Sequence, residues 1–173
     1  MKKLFALLLL ATGLCAAQTG TKDVFNVARS GTVAEMQALM AINKDTINAV
    51  NPMGFTPLIL ACYRGNAPVA EFLAGKVKNI DYSSSSGTAL AASAVKGNLA
   101  LVKVLLENKA NPNIADGQGM TPLLYAVQFD NKEIATLLLK YKADRKMADN
   151  EGKSPMDYAV FNKNQEMIDL LKK

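Results

Sequence analysis

From Thr56 onward the apolar residues fall in short blocks divided by polar, glycine-containing breaks, and the blocks repeat. Thr56-Pro57-Leu58, Thr88-Ala89-Leu90, Thr121-Pro122-Leu123 and Ser154-Pro155-Met156 open them, at spacings of 32, 33 and 33 residues. Five residues after each Thr or Ser stand the small side chains Ala61, Ser93, Ala126 and Ala159, and ten residues after it stand Asn66, Asn98, Asn131 and Asn164. Phe72-Leu73, Val104-Leu105, Leu137-Leu138 and Leu170-Leu171 follow at sixteen and seventeen, the apolar stripe of a second helix. The pattern predicts one helical pair per period, and a fixed period over this many residues marks an array of stacked units.

Each column has a local physical reason. The hydroxyls of Thr56, Thr88, Thr121 and Ser154 can accept from the first free amides of a helix. Pro57, Pro122 and Pro155 then fall at the first helical position, where the missing N–H is not needed and the fixed φ helps. Gly65 and Gly97 stand where that helix must end in a left-handed residue, and the Asn after each is placed to cap the second helix. Asp130 and Lys163 replace this glycine, at a cost of about 1 kcal/mol each if the left-handed turn is kept. A degraded copy precedes these four: counting back from Thr56 sets Lys22 at the capping position, Val24 at the Leu position and Val27 at the small position, and Thr32 with Glu35 reads as a capping box for its second helix. The third repeat lacks one residue between Gly87 and Thr88, and its serine run, Ser83 to Ser86, predicts the loosest of the connecting hairpins.

These columns resemble the ankyrin repeat, with its 33-residue period and Thr-Pro-Leu-His-x-Ala signature. The resemblance covers about residues 22–173, divided as 22–53, 54–86, 87–118, 119–151 and 152–173. It implies an all-α repeat solenoid, a stack of helix-turn-helix units joined by β-hairpin loops. The signature His is missing throughout, with Ile59, Ala91, Leu124 and Asp157 in its place, so the hydrogen bonds it makes in the family are not available here. The ends of such a stack must be polar, and Asp23, Asn26 and Arg29 at one end and Lys163, Gln165, Glu166 and Asp169 at the other fit that need.

Ahead of the repeats, residues 1–17 read as a secretory signal peptide, with residues 18–21 as a short linker. Met1-Lys2-Lys3 is the charged start, Leu4 to Ala11 the apolar run, and Cys15 and Ala17 the small pair before cleavage at Gln18. The apolar run is too short to span a bilayer as a mature helix. Periplasmic or secreted localisation follows, with no membrane insertion after cleavage. Cys15 also allows a lipid-anchored form, which the large Leu14 before it disfavours.

Loss of Lys2 and Lys3 with this segment leaves 18 Lys and Arg against 15 Asp and Glu, a net charge of +3. That excess, without basic clusters interleaved with aromatics, argues against a nucleic-acid partner. The single remaining thiol, Cys62, follows a small residue in a first helix and reads as buried and inert. With no His or Trp and no glycine-rich phosphate loop, the usual nucleophile, acid–base and metal constellations are missing, so no catalytic residue, metal or cofactor is expected. Asp81, Asp116 and Asp149 lie in or near the hairpins, where Asp suits turn geometry.

The resemblance directs function to a concave face built from hairpin tips and the exposed side of the first helices. The tip residues are Met53, Phe55, Gln118 and Met120, with Pro52, Ser85, Ser86, Glu151 and Lys153 beside them. The helix residues are Tyr63, Arg64, Lys96, Gln128, Phe129, Phe161 and Asn162, together with Val95. Tyr125 and Tyr158 stand one turn back. Aromatic, Met and Arg side chains are what protein interfaces use as anchors. The expectation is a monomeric, non-catalytic module that holds another protein in an extracytoplasmic space.

Overall fold

The computed structural model describes residues 22–173, so the leader, its cleavage point and Cys15 lie outside the described residues. Five helical pairs follow in order: α1 (Val24–Ser30) with α2 (Val33–Ile42), α3 (Pro57–Arg64) with α4 (Ala67–Ala74), α5 (Ala89–Val95) with α6 (Leu99–Glu107), α7 (Pro122–Gln128) with α8 (Lys132–Lys140), and α9 (Pro155–Phe161) with α10 (Gln165–Lys172). A 3₁₀ turn, Lys44–Asn48, follows α2. The first helices pack side by side as one layer and the second helices as another. The stripe residues Leu73, Leu105 and Leu138 are fully buried, as are the small residues Ala61, Ser93, Ala126 and Ala159. No pair could hide its apolar side alone, so the stack is what makes each repeat stable.

The capping hydroxyls act as expected: Thr56, Thr88, Thr121 and Ser154 accept from the amides of Ile59, Ala91, Leu124 and Asp157. Asn98, Asn131 and Asn164 cap α6, α8 and α10. Asn66 departs from its column. Its side-chain amide donates instead to the carbonyls of Ala28 and Gly31, at 3.1 and 3.0 Å, closing the end of α1 in the degraded first copy. The register of that copy is also corrected. Asp23, and not Lys22, caps α1, which puts the fully buried Ala28 at the small position in place of Val27. The cap then stands 33 residues before Thr56, restoring the period.

Asp130 and Lys163 keep the left-handed turn, each with φ of 54°. Asp130 gains partners there, since its carboxylate accepts from the side-chain amides of Asn162 and Asn164, both at 3.1 Å.

The loops that join successive repeats form projecting fingers. Each is a tight turn closed by two main-chain bonds: Asn51 N–H to Phe55 O, Ser84 N–H to Gly87 O, Asp116 N–H to Met120 O and Asp149 N–H to Lys153 O, with the finger glycine (Gly54, Gly87, Gly119 or Gly152) donating back to the carbonyl of Asn51, Ser84, Asp116 or Asp149. Among the described residues pairing goes no further than an isolated antiparallel bridge between Ser84 and Gly87. The serine-rich finger is not the loose one. Ser84 is buried, its hydroxyl accepts from Ser86 N–H and donates to Gly87 O, and Ser85 O accepts from Gly117 N–H of the next finger.

Candidate functional site

One side-chain acceptor at the root of each finger sets its shape. Asn51 Oδ1 accepts from Met53 and Phe55 N–H, Asp116 Oδ1 from Gln118 and Met120 N–H, and Asp149 Oδ1 from Glu151 and Lys153 N–H, all within 3.0 Å. In the third repeat, one residue shorter, the Ser84 hydroxyl fills the same place. Backbone bonds then tie finger to finger: Gly117 N–H reaches Ser85 O, Asn150 N–H reaches Gln118 O at 3.0 Å, and the Asn150 side chain donates to Gly117 O. Gly119 makes the last approach possible. Its φ is +79°, and a Cβ there would stand 2.7 Å from the Asn150 nitrogen.

The expected face residues divide by what they touch. Met53, Tyr63, Phe129 and Phe161 are exposed, Phe161 at 84% of its surface. Arg64, Lys96, Gln118 and Gln128 are exposed beside them. Lys96 and Tyr63 meet, the ammonium lying 4.5 Å from the ring centroid. Phe129 stacks on Tyr125 with centroids 6.4 Å apart and planes 6° apart.

Three expectations are corrected. Met120 is only 4% exposed, and the Tyr158 hydroxyl sits 3.9 Å from its sulfur, so the following repeat covers it. Phe55 is half-buried against the core. Asn162 is engaged within the stack: its amide donates to the carbonyls of Val127 and Gln128 and to Asp130, closing the end of α7.

Two tyrosine–aspartate pairs join the fingers to the first helices. Tyr125 donates to Asp116 Oδ2 at 2.5 Å and Tyr158 to Asp149 Oδ2 at 2.6 Å. Each pair is nine residues apart, one repeat after the other. Burial and the Asp116 carboxylate push the Tyr125 phenol well above its ordinary value. The hydrogen bond to Asp149, helped by burial, pushes Tyr158 up to about 12. In return the phenol, with the finger amides, holds the Asp149 carboxyl below the usual carboxylate range. Sequence reading singled out all four residues without pairing them; the shared nine-residue interval was the available signal.

Between the Asp116 and Asp149 fingers lies a cleft of about 400 Å³, lined by Met120, Tyr125, Gln128, Asp149, Glu151 and Tyr158 among others. No group of three or more His, Cys, Asp or Glu side chains suited to a metal ion occurs among the described residues. No helix there is long and apolar enough to cross a membrane. Cys62 is fully buried and its thiol is pushed up to about 12 by that burial, the inert character expected of it.

The family description "Ankyrin repeats (3 copies)" matches residues 24–116 and again residues 89–173. The chain is similar to the "Protein fem-1 homolog A-like" of Mus musculus, 35% identical over 89 residues, which are 51% of this chain and 14% of that protein. It is similar to the "Putative ankyrin repeat protein FPV014" of fowlpox virus, 31% identical over 63% of this chain and 25% of the relative. An "Ankyrin repeat, SAM and basic leucine zipper domain-containing protein 1" from Saimiri boliviensis boliviensis is 29% identical over 65% of this chain and 25% of its own length. The chain thus spans a quarter or less of these relatives, and the likeness is to their repeat regions. With the repeats, the caps and the two-layer stack agreeing, the chain belongs to the ankyrin repeat family.

Proposed function

We propose that this chain is an exported, non-catalytic module that engages a partner protein through its finger face. Ankyrin repeats generally mediate protein–protein interaction, and these residues supply a face suited to it. The observation that carries the reading is the exposure of large side chains at the positions the ankyrin likeness assigns to the finger face: Met53 and Tyr63 toward the first repeats, Phe129 and Phe161 toward the last. A row of exposed large apolar side chains on one surface marks a contact region in a way that isolated ones do not.

Export rests on the leader-like start, residues 1–17, and gives a periplasmic or secreted protein. The module acts as a monomer, since the exposed polar residues of α1 and α10 disfavour end-to-end stacking. A lipid-anchored envelope organiser is the second reading, carried by Cys15, four residues past the end of the apolar run. The intact mass of the exported form separates them: an N-terminus at Gln18 excludes acylation at Cys15.

The surface is tested by crosslinking and affinity capture from the chain's own compartment, beside the double variant Phe129→Ser, Phe161→Ser. Both rings are exposed, so the variant should keep its helical signal and unfolding midpoint while losing its captured protein. Capture at the parental level with folding intact would remove the finger face from the reading.

A further inference from the structure

The two halves of the finger face carry different charges at matching positions. Eight residues after the capping hydroxyl stand Arg64 and Lys96 in the second and third repeats, but Phe129 and Asn162 in the fourth and fifth. The finger acceptors change in the other sense, from the neutral Asn51 and Ser84 to the acidic Asp116 and Asp149. Turn geometry does not demand the acids, because Asn51 makes the same pair of bonds without a charge.

The aromatic residues follow the same division. In the first half Lys96 covers the Tyr63 ring, whereas the cation–ring contacts among the described residues do not include Tyr125, Phe129 or Tyr158. The cleft beside these rings is lined by Met120 and by two carboxylates, Asp149 and Glu151. Its volume of about 400 Å³ admits one long side chain. Asp149 Oδ1 is taken by two finger amides, but among the described residues Oδ2 accepts only the Tyr158 hydroxyl and keeps a lone pair. Glu151 pairs with Lys153 at 2.7 Å, an ion pair in which both side chains are more than half exposed. Such a pair holds weakly and can open to a better partner.

We infer that this cleft takes an arginine side chain of the partner protein, its guanidinium against Glu151 and the free side of Asp149 and its flat face on the tyrosine rings. Arginine fits better than lysine, because its planar fork bonds a carboxylate through two N–H groups and stacks on an aromatic face. The assignment rests on the finger face being the docking surface and names the chemistry it selects at the C-terminal end.

The test uses the isotope-labelled exported chain and three short peptides, acetyl-Gly-X-Gly-amide, with X arginine, lysine or citrulline. Citrulline keeps the shape of arginine without its charge. The arginine peptide should shift the amide signals of Gln118, Asn150 and Glu151 saturably, with citrulline weaker by about tenfold, the size of one charge-assisted contact. Equal shifts from arginine and citrulline, or shifts mapping away from the cleft, would overturn the inference. Glu151→Lys, at a side chain whose one side-chain hydrogen bond among the described residues is to Lys153, should abolish saturation while leaving the remaining amide spectrum in place, and should also lose the captured protein. If Phe129→Ser, Phe161→Ser loses the partner and Glu151→Lys keeps it, the docking surface stands and the arginine site falls. If neither loses it, both fall.

Discussion

The second and third repeats and the fourth and fifth share one backbone plan and treat their aromatic residues differently. In the first half the face ring, Tyr63, lies under a cation of the same chain. In the second half Tyr125 and Tyr158 point their hydroxyls at finger aspartates, and Phe129 and Phe161 stand open. The positions that build the stack are alike in both halves, the capping hydroxyl, the small residue and the buried Leu. What differs lies on the face. The capping, small and Leu columns are therefore distinct from the exposed positions Tyr63, Phe129 and Phe161, which can change without them.

The largest expected effect tests the likeness of the cores. Leu90 and Leu123 occupy the same column and are both essentially unexposed. Leu90→Ala and Leu123→Ala should each cost about 3 kcal/mol in urea unfolding, within the range for cavity-forming substitutions. Losses differing several-fold would break the claim that the halves have equivalent cores.

A smaller effect tests the finger lacing. Gly54 and Gly119 have nearly the same φ, +80° and +79°, but a Cβ at Gly54 would meet nothing nearer than 4.0 Å, while one at Gly119 meets the Asn150 backbone at 2.7 Å. Gly54→Ala should cost about 1 kcal/mol from the left-handed conformation alone. Gly119→Ala should cost about twice that, because the Asn150 contact must also give. Equal costs would mean that the fingers do not hold each other.

The smallest effect is set by pH. Asp149 is held below the ordinary carboxylate range, so its contribution is complete above about pH 4 and fades as pH falls further through its lowered native value. Tyr158 is raised, so its contribution is complete below about pH 10 and fades as pH rises toward about 12. Phenolate absorbance should therefore show a tyrosine that ionises near pH 12 and is lost in Tyr158→Phe. Removing the donor with Tyr158→Phe should shift the acid-unfolding midpoint upward. A phenolate titration that Tyr158→Phe leaves unchanged would dissolve the contrast between the halves.

Most of the stack was legible in the sequence because caps, first-turn prolines and left-handed glycines act within a few residues of where they stand. Interactions that reach across a repeat were not. Asn66 carries the helix-capping residue of its column, yet the open end of α1, more than thirty residues earlier, recruits its amide. Ser84 looked like part of a flexible run, and only the turn reveals that its hydroxyl replaces an aspartate. Met120 and Lys153 hold equivalent positions, but Tyr158 follows Met120 one repeat later and buries it, while Lys153 has no described repeat after it. The exposure of Tyr63, Phe129 and Phe161 was legible because the ankyrin resemblance sets the positions seven and eight residues after the capping hydroxyl on the outer side of the first helix. The cleft was not, since it is a gap between two fingers whose separation depends on the stack.

The backbone bonds that tie the Ser84 finger to the Asp116 finger and the Asp116 finger to the Asp149 finger have no described counterpart between the Asn51 and Ser84 fingers. In mechanical terms the array is a spring whose coils are unequally stiff. A load shared along it should stretch the early coils first and leave the later three moving as a single plate.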